Sequence, residues 1–163
     1  MNPLLAVLLI AAASDLAELE QPLAQAFHHA TGIQLRFTTS ASGMLARQIE
    51  NGAPYDVYLS ANERFVLDLA GSGRILPSSV TLYATGRLGL WSQPPALTNL
   101  DGLRAPRIRR IAIANPTHAP YGLAAQQALE KAGLWTTLHD RIVFGENVRQ
   151  AWEFASSGNA DAV

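Results

Sequence analysis

Along this chain, apolar runs of strand length alternate with stretches whose apolar residues recur at helical spacing. Residues 4–13 form an unbroken apolar run that reads as a first strand buried on both faces and running straight into Ser14. Leu16, Leu19, Leu23 and Phe27 then keep helical spacing, and Asp15 opens the helix. Pro22 falls inside that pattern and predicts a kink or a late helix start, while Thr31-Gly32 supplies a left-handed stop. Residues 34–39 read as a strand and 44–51 as a short helix with Leu45 and Ile49 inward, broken by Gly52-Ala53-Pro54. Residues 56–59 read as a buried strand, with Asn62 placed to cap a helix over 63–70. This order of strands and helices predicts a parallel sheet with helices on both faces.

The texture changes near residue 80. Residues 80–91 read as a long strand-rich stretch holding Gly86 and Gly89, and 92–107 as a Pro-, Gly- and Asn-rich loop with one helical turn. The alternation then resumes with a strand over 110–114 and a helix over 121–132 whose inner stripe is Ala125, Ala128, Leu129 and Ala132. A strand over 142–144 follows, then a helix over 148–156 with Val148, Ala151, Trp152 and Ala155 inward. Gly158-Asn159 signals a turn, and 160–163 reads as the start of another buried strand. The expected fold class is therefore α/β, with one lobe over residues 1–82, a second over 83–163, and the strand-rich stretch crossing between them. A strand begun at the last residues suggests a fragment whose second crossover and return to the first lobe are incomplete.

Composition narrows the function classes. A net charge of −1 gives no electrostatic footprint for nucleic acid or an anionic membrane surface. The absence of cysteine removes disulfides, thiolate nucleophiles and cysteine metal sites. The apolar run at 4–13 ends in Ala-Ala-Ala like a secretory signal, but no Lys or Arg precedes it, so a signal peptide is not clearly present; the run is also too short to span a bilayer.

Candidate chemistry lies where apolar strands end. Ser14, Ser42 with Gly43, and Asn147 with Val148 each stand at a strand-to-helix junction. A helix start leaves unpaired N–H groups and the positive end of the helix dipole exposed, so several aimed at one point make an anion site without Arg or Lys. Taken singly, Ser14 and Ser42 read as helix caps, Tyr121 as a turn aromatic and Val148 as a core residue at a helix start. His118 lacks a sequence-paired nucleophile and reads as a surface or turn-bracing residue. His28 and His29 suit a helix C-terminus, and Arg107, Arg109 and Arg110 read as a solvated cluster. Glu50, Asp56 and Glu63 lack metal-site spacing; Trp91, Trp135 and Trp152 read as packing residues.

Six segments in order carry a resemblance: Ala11-Ala12-Ala13-Ser14; Ser40-Ala41-Ser42-Gly43 with Leu45-Ala46-Arg47-Gln48-Ile49; Gly52-Ala53-Pro54-Tyr55-Asp56-Val57; Leu59-Ser60-Ala61-Asn62-Glu63; Asn115-Pro116-Thr117-His118-Ala119-Pro120-Tyr121-Gly122; and Gly145-Glu146-Asn147-Val148-Arg149-Gln150-Ala151. Together they resemble the molybdate-binding proteins of bacterial ABC transporters over nearly the whole chain. The resemblance implies two α/β lobes joined by crossing strands, which close by a hinge on molybdate or tungstate bound in the cleft. It also implies a monomeric periplasmic protein that delivers the anion to an ABC permease in the membrane, with no cofactor, no catalytic role and no nucleic-acid partner. It assigns as ligands the Ser14 and Ser42 hydroxyls, the Asp15 and Val148 backbone N–H groups, and Tyr121 of the Ala-Pro-Tyr-Gly turn. The Asp15 carboxylate would repel a dianion, so its side chain is expected to point away and cap the helix. The other readings are an enzymatic or ligand-sensing domain on the same fold, or a truncated, non-functional fragment with exposed sheet edges.

Overall fold

A computed structural model describes residues 6–163. The chain separates into two compact units, Met1–Tyr83 and Ala84–Val163. In the first unit, strands β1 (Val7–Ala13), β2 (Gln34–Ser40) and β3 (Val57–Leu59) form a parallel sheet in the order β2-β1-β3. Helices α1 (Glu20–Thr31), α2 (Ser42–Glu50) and α3 (Glu63–Gly71) follow the three strands in turn. As the central strand, β1 buries four consecutive residues, Ile10, Ala11, Ala12 and Ala13, because both of its faces are covered at the carboxyl end. The edge strand β2 instead alternates exposed and half-buried positions. Leu45, Ala46 and Ile49 of α2 are buried, and the latter two pack with Leu69 of α3, Tyr55, Tyr58 and Phe65.

The second unit pairs strands β4 (Ile111–Ala114) and β5 (Ile142–Gly145) in parallel. Helix α4 (Pro120–Lys131) follows β4, the single turn α5 (Trp135–Leu138) leads toward β5, and α6 (Val148–Ser156) follows β5. Alternation along β4 puts Ile111 and Ile113 in one cluster with Leu129, Leu134 and Leu138, and Ala112 in another with Ala151 and Ala160. Helices therefore cover both faces of this sheet, as the alternation of elements predicts. The final residues widen it: Ala112 N donates to Ala162 O at 2.8 Å, while Trp91 and Val163 exchange two backbone bonds of 2.9 Å.

Several expectations hold in detail. Pro22 sits in the first turn of α1, where its missing N–H costs nothing, so it marks a late helix start. Gly32 ends α1 with φ 75°, and the Asn62 side chain caps α3 by accepting from Arg64 N at 2.9 Å. His28 and His29 lie in the last turn of α1. A short 3-10 helix, Leu100–Arg104, is the one turn of the loop region.

Others are corrected. Residues 4 and 5 of the first apolar run lie outside the described residues, and Val7 of β1 is exposed, so only the carboxyl half of that strand is buried. The stripe Leu16, Leu19, Leu23 and Phe27 does not form one face, and Leu19 and Leu23 are exposed. Ser14–Leu19 winds as a 3-10 helix at three residues per turn before α1 begins, which rotates the first two positions off the α-helical line. Val57 is exposed, because β3 pairs only with β1 among the described residues. Residues 80–91 form no strand: only Trp91, next to the bridge at Ser92, exchanges backbone bonds with the terminal segment, and Leu82 and Leu88 are exposed. Ala132 caps the end of α4 and is exposed. Trp152 is also exposed and meets the Trp91 ring edge-on at 5.3 Å, while Phe154 packs inward. Arg107 is not simply solvated; its guanidinium donates to the Gln93 and Pro95 carbonyls and braces that loop.

Asp161 joins the terminal segment to β4. Its Oδ2 accepts from Arg109 N at 2.7 Å and Arg110 N at 2.9 Å. Those backbone bonds, Arg110 first, hold the carboxyl below its ordinary value of 3.8. A depressed folded-state pKa means stabilisation that is present above the unfolded value and lost as pH falls through the folded one. Asp161→Ala is expected to lower stability by about 1 kcal/mol at pH 7. The gap to the parent chain should shrink as the pH falls below 3.8, as read by urea unfolding at both pH values.

Candidate functional site

In a parallel sheet all strands end at the same edge, so the segments that follow them converge there. In the first unit Ala13 pairs with Ser40, which brings Ser14 and Ser42 to neighbouring strand ends. The order β2-β1-β3 makes this edge a point where successive connections leave in opposite directions, the usual position of a ligand crevice in such sheets. Ser14 opens the 3-10 helix and is 8% exposed, and no hydrogen bond from its hydroxyl is found among the described residues. Asp15 follows it, exposed, in the first turn, where a carboxylate favours the helix start. The residue before the 3-10 helix, Ala13, offers no side-chain cap.

Ser42 is better defined. It is the first residue of α2, the preceding Ala41 offers no side-chain cap, and Ser42 itself is 1% exposed. Its Oγ accepts from Ala61 N at 3.1 Å, just beyond β3. With an acceptor site used, the hydroxyl proton remains available to an anion. The Tyr58 hydroxyl donates to Ser42 O at 2.7 Å and fixes the backbone of the same residue. Burial pushes the Tyr58 pKa up to about 12, so this donor stays protonated across the physiological range. The Ser-as-cap reading therefore fails at Ser42: its hydroxyl is held from the third strand end.

In the second unit, β4 and β5 end side by side at Ala114 and Gly145, and Asn115 N donates to Gly145 O at 2.7 Å as a last rung. Val148 is the first residue of α6, where its N–H has no carbonyl four residues back to bond. Asn147 caps the same helix by accepting from Gln150 N at 3.1 Å. Tyr121 is the second residue of α4 and half-buried. A methyl on Gly86 would lie 2.5 Å from the Tyr121 hydroxyl, so the ring packs against bare backbone there. Gly122 approaches the Ala114 carbonyl too closely for any side chain, and a Cβ on Gly145 would lie 2.7 Å from Ala151 N. These two glycines let α4 and α6 begin directly at the strand ends.

The structure thus places Ser14, Asp15 and Ser42 just beyond two adjacent strand ends in one unit, and Tyr121 and Val148 at the helix starts that follow two adjacent strand ends in the other. Each group offers O–H or N–H donors at the carboxyl edge of parallel strands. Four contributors were given no role at the site from the sequence: Tyr58, which lies outside the resembling segments, and Ala61, Gly122 and Gly145, which lie within them. Their signals were faint, being a tyrosine in a strand and small residues beside strand ends.

The comparisons agree with this architecture. A profile described as bacterial extracellular solute-binding protein matches residues 8–163. The chain belongs to that family. Its match runs through both units, and family members are solute-binding proteins. The chain is 36% identical over 151 residues to the molybdate-binding protein ModA of Rhodobacter capsulatus, covering 92% of this chain and 60% of that one. Against ModA of Azotobacter vinelandii it is 34% identical over 154 residues, covering 93% and 61%. It therefore spans about three fifths of the length of these curated relatives. The solved Azotobacter vinelandii periplasmic molybdate-binding protein superposes with a TM-score of 0.89 at 40% identity, covering 95% of this chain and 69% of that one.

Gly122 offers a direct test of how the second strand edge is built. Gly122→Ala is expected to destabilise the protein by about 2 kcal/mol or more, because the new methyl meets fixed backbone. Gly89→Ala, which has nothing within 4 Å of the added methyl, should change stability by less than about 0.5 kcal/mol. Urea unfolding of both variants measures the contrast.

Proposed function

We propose that this solute-binding protein captures a tetrahedral oxyanion, molybdate or tungstate, for an ABC importer. The ligand set is the Ser14 and Ser42 hydroxyls, the Asp15 and Val148 backbone N–H groups, and Tyr121. One observation carries the reading: the Ser42 hydroxyl, buried at a strand end, has its acceptor side occupied by Ala61 N–H and keeps its proton to give. A tetrahedral dianion presents only acceptors, so hydroxyl and helix-start donors satisfy it without a countercharge. The named relatives support the same ligand.

Selectivity follows from the donor set. Molybdate and tungstate share charge and shape with sulfate but are larger, so cavity size separates them. Protonated phosphate carries a donor that such a site cannot accept, and an unpaired buried donor is costly. The protein works as a periplasmic monomer without a cofactor, hands its anion to the membrane permease and catalyses no reaction.

Titration calorimetry with molybdate, tungstate, sulfate and phosphate should show binding of the first two alone; no heat with any of the four would sink the assignment. Ser42→Ala should weaken molybdate binding by about 10- to 100-fold, the range for one hydrogen bond to a charged group. The circular dichroism spectrum of that variant should be unchanged.

A further inference from the structure

We propose that His118 is a positioning residue for the oxyanion site, holding the peptide that presents the Val148 N–H. The inference rests on the binding reading above. His118 lies in the turn between β4 and α4, and its side chain is only 11% exposed. Its Nε2 stands 2.9 Å from the backbone carbonyl oxygen of Glu146, in the turn between β5 and α6. A carbonyl can only accept, so Nε2 carries the proton and donates it.

That carbonyl belongs to the peptide immediately before the one that carries the Val148 N–H. Only Asn147, extended at φ −151° and ψ 176°, separates the two peptide planes. The Glu146 N–H is held as well, donating to Gln150 Oε1 at 2.7 Å. Both polar groups of Glu146 are therefore fixed by side chains, and His118 is the one that reaches across from the neighbouring loop. Its own loop is tight: Ala119 N donates to Asn115 O at 2.9 Å and Thr117 N to Asn115 Oδ1 at 3.0 Å. Tyr121 follows three residues later. A single ring thus ties together the two loops that present Tyr121 and Val148.

The Glu146 carboxylate also lies 3.4 Å from Nε2, but its side chain is 72% exposed. An exposed ion pair of this kind contributes little, so the carbonyl bond is the one that positions the peptide.

The test compares His118→Leu, which removes the donor, with His118→Gln, which keeps an N–H donor at the end of the side chain. Molybdate calorimetry should show a loss of about 3- to 10-fold for the leucine variant, the worth of one hydrogen bond, and recovery to within about twofold for the glutamine variant. In the ligand-free protein, hydrogen exchange at the Ala151 amide, which donates at 3.1 Å to the Asn147 carbonyl of the same peptide that carries the Val148 N–H, should quicken with leucine and not with glutamine. Glu146→Ala, which keeps the backbone carbonyl, should bind within about twofold of the parent. Unchanged affinity and Ala151 exchange in His118→Leu would overturn the proposal, as would a loss in Glu146→Ala equal to that in His118→Leu. If His118→Leu fails to fold, His118→Asn, polar but too short to reach the carbonyl, takes its place. A parent chain that binds no oxyanion would overturn the binding reading instead, and the ligand-free Ala151 exchange would still decide whether His118 holds the peptide.

Discussion

Parallel strand pairing is the constraint on which the rest of this protein depends. A parallel ladder places every strand's carboxyl end on one edge, so once the strands have paired, whatever follows them is gathered there. The seven-residue register of β1 with β2, ending at Ala13 opposite Ser40, puts Ser14 and Ser42 at adjacent positions. The shorter register of β4 with β5, ending at Ala114 opposite Gly145, does the same for the loops before Tyr121 and Val148. A slip of one residue in either ladder would turn the strand's side chains over and misalign these ends, and the buried carboxyl half of β1 opposes such a slip.

Small residues make the edge usable. Ala11, Ala12 and Ala13 are almost fully buried, so elements on both faces of β1 approach closely. Gly122 and Gly145 allow helix starts to sit against strand ends where a methyl group would collide with backbone. The N–H groups of a first helical turn reach a ligand only if the turn begins this near the edge. The hydroxyl donors are held by similar economy. Ser42 receives Ala61 N–H at its oxygen and the Tyr58 hydroxyl at its carbonyl, and both bonds come from β3 or the residues just beyond it. The third strand therefore orients a donor that stands at the start of α2.

Much of this was legible in the chain because its causes are local. Gly32 stops α1, Asn62 caps α3 and Pro22 delays a helix through effects that act within a few residues. The donors Ser14, Ser42 and Val148 were visible as strand-to-helix junctions for the same reason. What was misread depended on partners. Residues 80–91 have strand-like composition, yet they form no strand, because a strand is fixed by pairing with a distant segment and not by composition. Trp152 sits on the helical stripe by count, but Phe154 takes the inward place and Trp152 meets Trp91 instead. The apolar stripe expected over residues 16–27 failed at its start because Ser14–Leu19 wind as a 3-10 helix before α1 begins.

By itself, the sequence determined the order of strands and helices, the helix stops and caps, the parallel class of the sheets and the kind of donor at each strand end. These follow from periodicity, backbone preference and side-chain chemistry, all of which act at short range. Tertiary structure alone decided which strand ends are neighbours, that Ser42 accepts from Ala61, that Tyr58 stays protonated beneath it, and that Gly86 and Gly122 frame Tyr121. Those depend on register and on the distance of backbone approach, which are set by residues far apart in the chain packing to fixed volume.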